Sequence, residues 1–276
     1  MSSLEQTKPP IVMSFSGHDP SGGAGIQADI ETLTSLGCHC TPIVTALTAQ
    51  DSVNVKDFSP TNPTLLVEQA RAVLEDMPIA AFKCGMIGSV ENVEAIHTIL
   101  HDYPDTPVIL DPVLKAGGGG NLAEASLVDA IRHLLIPYCT VITPNSVEAR
   151  TLYPDADSLD ACAQGLMDDG CHYVLITGGH EPTSDITNRL WGQRQCLDQL
   201  SWPREEGEFH GTGCTLASAI AGYIARGNSV ELAVKDAQQY TASTIQHARR
   251  LGMGQLIPNR YYWADLGLSQ PWKKVH

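Results

Sequence analysis

The sequence predicts an α/β fold: a three-layer, doubly wound, mainly parallel sheet with helices on both faces. Three observations lead there. Strand-sized apolar runs alternate with segments of helical apolar spacing along most of the 276 residues, the pattern of strands joined by crossover helices. Polar and glycine-rich stretches fall where those strands should end, at 17–25, 48–51, 85–86, 111, 143–145 and 177–179. In open parallel sheets the carboxyl ends of the strands form the ligand crevice. No linker, repeat or low-complexity block divides the chain, so residues 1–276 read as a single domain with a flexible lead over 1–10.

In order, residues 11–15 form an apolar strand, and Ile26, Ile30, Leu33 and Leu36 share one face of a helix starting near Ala24. Residues 43–47 read as the next strand, ending in Thr48-Ala49-Gln50, and 53–58 as an edge strand or small flap. Helical spacing returns over 65–74 and 90–100, on either side of a strand at 79–84. A buried strand at 108–110 stops at Asp111-Pro112, and a glycine run at 117–120 leads into a helix over 123–135. Residues 141–142 are a strand, 146–152 and 158–169 are helices, and 173–176 is a strand stopping at Thr177-Gly178-Gly179. Residues 187–191 and 195–200 can pair as a hairpin. Leu216, Ala219, Ile220, Tyr223 and Ile224 predict a helix over about 214–226, followed by a long one over 230–251. The tail, 258–276, is aromatic without a clear period.

The formal charge is −14 and the 17 Lys and Arg are scattered. That balance argues against a nucleic-acid partner or an anionic membrane surface. The N-terminal residues are polar and proline-containing, unlike a signal peptide or a membrane span. The eight cysteines form no Cys-x-x-Cys pair, which suits a reduced cytoplasmic protein better than a disulfide framework or a zinc site.

The most informative stretch is His210-Gly211-Thr212-Gly213-Cys214-Thr215. Two glycines allow a tight turn, and the first turn of the following helix offers free N–H groups to a phosphate. Cys214 stands at that positive end, where a thiol ionises more readily than usual. A glycine turn before a core helix, with Cys214 as a small apolar residue, is the commoner explanation of such a short pattern. The stretch Gly23-Ala24-Gly25-Ile26-Gln27-Ala28 matches Gly-x-Gly-x-x-Ala, but several residues separate it from the strand, which argues against a dinucleotide site. Asn145 with Glu148 suits either a capping box or a metal-bound water near phosphates. Asp111, at a strand end, either shapes a turn or helps place Mg²⁺. Lys83 and Lys115 read as ordinary solvated lysines, and Met86 and Val113 as packing residues.

Ser16-Gly17-His18-Asp19-Pro20-Ser21-Gly22-Gly23-Ala24-Gly25-Ile26-Gln27-Ala28-Asp29 closely resembles the N-terminal signature of hydroxymethylpyrimidine/phosphomethylpyrimidine kinases, within the ribokinase superfamily. Thr45-Ala46-Leu47-Thr48-Ala49-Gln50, Lys83-Cys84-Gly85-Met86, Asp111-Pro112-Val113, Thr143-Pro144-Asn145 with Glu148, Gly178-Gly179-His180 and the stretch 210–215 follow in the family's order. The resemblance implies a ribokinase-like fold. It also implies ATP-dependent phosphorylation of 4-amino-5-hydroxymethyl-2-methylpyrimidine, and in many members of its monophosphate, on the way to thiamine diphosphate.

Carried over position by position, it places Gly17, Asp29, Gln50, Met86 and Val113 around the pyrimidine. Asn145, Thr177, Gly178, Gly179, Gly211 and Gly213 fall at the nucleotide, and Asp111 and Glu148 at Mg²⁺. Cys214 takes the catalytic-base position, with Gly211, Thr212 and Gly213 donating to the transferring phosphoryl group. The resemblance also allows a K⁺ requirement and suggests a homodimer to which 43–58 contributes an edge. Two positions depart from the family pattern. Thr177 stands where a lysine is frequent, and Gly117-Gly118-Gly119 replaces a Lys-Ser-Gly loop. Losing those cations bears on the second phosphorylation more than the first and leaves room for a pyridoxine-type substrate. A non-catalytic pyrimidine-binding module is the remaining reading.

Overall fold

A computed structural model describes residues 8–114 and 125–271. Lys115, the glycine run at 117–120, the first residues of the helix expected from 123, the lead over 1–7 and Trp272 lie outside the described residues.

Strands β1 (Ile11–His18), β2 (His39–Gln50), β3 (Val55–Pro60), β4 (Ile79–Cys84), β5 (Val108–Leu110), β6 (Val141–Ile142), β7 (Tyr173–Ile176), β8 (Asp185–Gly192) and β9 (Gln195–Pro203) form one sheet. Its order is β3-β2-β1-β4-β5-β6-β7-β8-β9. The strands from β2 to β7 run parallel, while β3, β8 and β9 pair antiparallel at the two edges. From β1 the chain first moves to one side, to β2, and later returns to the other, to β4. The crevice of a doubly wound sheet opens at such a reversal.

Helices cover both faces because side chains on the central strands alternate. Val12, Ala81 and Ile109 point into a core shared with Leu33 and Leu36 of α1 (Gly25–Ser35), Leu216 and Ile220 of α7 (Thr212–Ala225) and Val234 of α8 (Val230–Gln246). Met13, Phe15, Phe82 and Leu110 point to the opposite core. There they meet α2 (Pro63–Asp76), α3 (Val90–Asp102), α4 (Ala125–Ala130), α5 (Ser146–Leu152) and α6 (Leu159–Asp168). A short α9 (Tyr262–Asp265) closes the described chain.

The expected edge strand and hairpin are both present. Gln193 and Arg194, which join β8 to β9, both have positive φ, 51° and 61°, the handedness that a two-residue hairpin turn requires. Two expectations need correction. Ile30 is 37% exposed, because the buried face of α1 carries the polar Asp29, Thr32 and Ser35, which a hydrophobic stripe does not count. The last long helix ends at Gln246 rather than near 251, because Arg249 exchanges backbone hydrogen bonds with Ile257 instead. Among the described residues no helix is long and apolar enough to cross a membrane.

Candidate active site

Two glycine loops meet at the carboxyl end of β1. Gly211 precedes α7 with φ 81°, and a Cβ there would lie 2.0 Å from the Gly23 carbonyl oxygen. Only glycine permits this approach of the two backbones. No side chain caps α7, so its first-turn N–H groups face the crevice as free donors. Thr212 and Cys214 are half-buried and Gly213 is exposed.

The loop after β1 is tied to this cradle. His210 Nε2 lies 2.8 Å from Asp19 Oδ2, and the Asp19 carboxylate also accepts the Ser21 and Ala24 amides at 2.8 and 2.7 Å. Burial alone would raise the Asp19 pKa, but the hydrogen bonds from His210 and Ser21 hold it below the ordinary value.

Directly beneath lies a charged pair that hydrophobic patterning missed. Lys83 is fully buried, not a solvated lysine, and its ammonium donates to Ser16 Oγ at 2.7 Å and Asp29 Oδ2 at 2.9 Å. Ser14 Oγ and Ser218 Oγ, at 2.6 and 2.7 Å, complete the Asp29 carboxylate. Asp29, expected at the pyrimidine edge, lies within this buried network. It is fully buried and both of its oxygens are engaged inside the protein. The signal was a charged residue inside the apolar run Ile79–Cys84. Burial would lower the Lys83 pKa, yet the neighbouring Asp29, Cys214 and Asp111 hold it above the usual value.

Asp111, Glu148 and Cys214 are brought together. A Cβ on Gly213 would lie 3.5 Å from Asp111 Oδ2, so that carboxylate faces the start of α7. Burial pushes Asp111 up to about 6, opposed by Lys83 and reinforced by Asp29. Burial, then the Asp111 charge, pushes Glu148 up to about 8. The thiol of Cys214 is pushed up to about 12, chiefly by burial, with Lys83 opposing and Asp111 and Asp29 adding to the shift. The expected ready ionisation of Cys214 is thus corrected. Burial and two carboxylates outweigh the neighbouring lysine.

The capping box at α5 is real. Asn145 Oδ1 accepts the Val147 and Glu148 amides at 2.9 Å each, and Glu148 Oε2 accepts the Asn145 amide at 2.9 Å. Asn145 also bridges Thr177, at the end of β7. The Gly178 amide donates to Asn188 Oδ1 at 3.1 Å, and Gly179 has open space where a side chain would stand. Asp111 Oδ2 is buried without a hydrogen-bond partner, an orphaned acceptor that suits a cation. Among the described residues no cluster of three or more His, Cys, Asp or Glu could hold a metal alone. Mg²⁺ fits regardless, since it takes one or two carboxylates and completes its shell with phosphate oxygens and water.

On the opposite wall a Cβ on Gly17 would lie 3.0 Å from Met86 Sδ, so these two expected contacts are neighbours. Val113 is half-buried two residues beyond Asp111. Gln50, at the end of β2, is half-buried and donates through Nε2 to Thr48 Oγ1 at 2.6 Å. Arg260 was not anticipated. It is 1% exposed and reaches Gly23 and Thr215 from an aperiodic segment that offered no local signal.

Residues 19–259 match the family model described as phosphomethylpyrimidine kinase. A hydroxymethylpyrimidine/phosphomethylpyrimidine kinase from Haemophilus influenzae is 34% identical over 270 residues, covering 92% of this chain and 98% of the relative. A thiamine biosynthesis bifunctional protein from Geobacter sulfurreducens is 36% identical over 247 residues, 88% of this chain, which spans only 50% of that longer protein. Among solved structures, a Bacillus subtilis pyridoxal kinase in complex with ADP superposes with a TM-score of 0.83 at 25% identity, covering 91% of this chain and 97% of the other. Fold, crevice and sequence agree: the chain belongs to the phosphomethylpyrimidine kinase family.

Proposed function

We infer that the protein transfers the terminal phosphoryl group of ATP to the hydroxymethyl oxygen of 4-amino-5-hydroxymethyl-2-methylpyrimidine, with the monophosphate as a candidate second substrate, in thiamine diphosphate biosynthesis. One observation carries this reading. The uncapped first turn of α7 opens beside a half-buried cysteine and two carboxylates at the reversal point of the sheet. In the transfer, a bond forms between the hydroxymethyl oxygen and the terminal phosphorus as the bond to ADP breaks. Charge spreads over the phosphoryl oxygens, and preorganised donors there supply most of the rate gain. The amides of Gly211, Thr212, Gly213 and Cys214 are those donors in this reading. Thr177, Gly178, Gly179 and Asn145 flank the nucleotide, and Gly17, Met86, Gln50 and Val113 flank the ring.

Asp111 and Glu148 would hold Mg²⁺, which when bound offsets phosphate charge. Cys214, whose raised pKa favours the neutral thiol in the free protein, would stand beside the reacting oxygen in this reading. Sulfur can accept the alcohol's proton only once its own has passed to water, a loss that the neighbouring Lys83 charge favours.

All eight cysteines are free, which supports a cytoplasmic setting. Leu47 and Val53, 59% and 54% exposed on the β2–β3 edge, support a homodimer through that edge. Sedimentation at micromolar concentration tests it, and a monomer there removes it.

The function is tested by product mass after incubation with ATP, Mg²⁺ and, in parallel, the pyrimidine, its monophosphate and pyridoxine, with and without K⁺. Phosphorylated pyrimidine with equimolar ADP is expected. A pyridoxine product alone would move the assignment to the pyridoxal-kinase side of the fold.

A further inference from the structure

We propose that Arg260, which would touch neither substrate, is a positioning residue that fixes the clearance between the glycine loop after β1 and the anion cradle before α7. The inference rests on the phosphotransfer reading above. An unpaired buried guanidinium is costly, so its partners show what it is there to hold. Arg260 is 1% exposed. It donates from Nη2 to the Gly23 carbonyl at 2.6 Å, from Nε to Thr215 Oγ1 at 3.0 Å and from Nη1 to Glu31 Oε2 at 3.0 Å. The glycine loop and the first turn of α7 are thereby gripped by one planar group, with Glu31 on α1 as its counter-ion.

The grip reaches the cradle itself. Thr215 Oγ1, the acceptor for Nε, donates to the Gly211 carbonyl at 2.8 Å. Gly211 is also the residue whose missing Cβ lets its backbone rest on Gly23. Arg260 is held from elsewhere, so it is not merely carried along by the two loops. Its carbonyl accepts Ser35 Oγ at 2.7 Å and Tyr240 OH at 2.8 Å, and the preceding Asn259 amide donates to the Thr244 carbonyl at 3.0 Å. The frame of α1 and α8 thus sets the guanidinium, and the guanidinium sets both loops. Lysine cannot substitute, because a single ammonium lacks the rigid fork that meets three acceptors in different directions. The His210–Asp19 contact is a separate tie between the same loops.

The test compares wild type, Arg260→Ala, Arg260→Lys and Tyr153→Phe in the full chain. It measures kcat and KM for ATP and the pyrimidine, thermal stability, and amide hydrogen exchange. For both Arg260 variants kcat should fall on the order of a hundredfold, the scale of small misplacements around a reacting centre. Both KM values should stay near wild type, and exchange should quicken at 21–25 and 211–215. Tyr153→Phe, which removes a hydrogen bond to the Gly165 carbonyl on the far face of the sheet, should lose stability but keep kcat, which separates positioning from general support. Arg260→Lys serves if Arg260→Ala does not fold. A folded Arg260 variant with wild-type kcat overturns the proposal, as does unchanged exchange in both loops. If wild type itself does not phosphorylate the pyrimidine, the functional reading fails, and the exchange measurement alone decides the role of Arg260.

Discussion

Lys83 and Asp29 face each other with no solvent exposure, 2.9 Å apart, directly under the glycine loop. Breaking such a pair by removing one member leaves an unpaired buried charge and costs about 3–5 kcal/mol. Asp29→Ala should therefore lower stability on that scale, read as a fall in the denaturation midpoint. A variant with wild-type stability and only weakened substrate binding would restore Asp29 to the ligand. Cys214 behaves differently, because it is half-buried and belongs to no ion pair whose partner its removal would strand. Cys214→Ala should keep the fold and lose at least about a hundredfold in turnover, the scale of lost proton-transfer catalysis. Near-normal turnover would remove the sulfur from the reaction. The Lys83 charge was visible in the sequence as an anomaly in an apolar run, but nothing local showed which carboxylate it would meet. That partner sits 54 residues away.

At the scale of the element, the start of α7 depends on backbone shape more than on side chains. Gly211→Ala places a methyl 2.0 Å from the Gly23 oxygen at positive φ. It should cost more than about 1 kcal/mol, beyond the usual glycine-to-alanine effect, and depress turnover as well. Gly213→Ala meets only ordinary contact distances and should fold like wild type, which denaturation of the two variants side by side would check. The loop after β1 adds a pH dependence. Asp19 has its pKa lowered in the folded protein, so its contribution is complete above the ordinary carboxylate value of about 4 and disappears as the pH falls below it. Asp19→Asn should thus lose about 1.5–3 kcal/mol at neutral pH, the worth of hydrogen bonds to a charged group. The gap to wild type should close in acid, and a gap independent of pH would show that the charge is not involved. The α7 turn was legible as two glycines before an apolar helical stripe, but only the family resemblance assigned a phosphate to it. The raised pKa of its thiol was not legible, since it comes first from burial in the folded crevice, with Asp111 and Asp29 adding to it from the end of β5 and from α1.

For the molecule as a whole, the alternation of runs sufficed to read a mainly parallel sheet, because central strands buried on both faces are apolar throughout and their ends are polar. Capping chemistry at Asn145, one of the two readings of its spacing from Glu148, was equally local and is present. Sequence periodicity does not register polar groups that are buried by partners far along the chain. Arg260 meets Gly23 across 237 positions and His210 meets Asp19 across 191, so neither tie leaves a pattern within a window. The central claim is spatial: phosphate rests on the amides ahead of α7 while the alcohol arm faces it beside Cys214. The most direct measurement is a crystal structure with a non-hydrolysable ATP analogue and the pyrimidine. The terminal phosphate is expected about 3 Å from the amides of Gly211 to Cys214, with the hydroxymethyl oxygen between it and the sulfur. Phosphates seated elsewhere, with those amides facing only water, would contradict it.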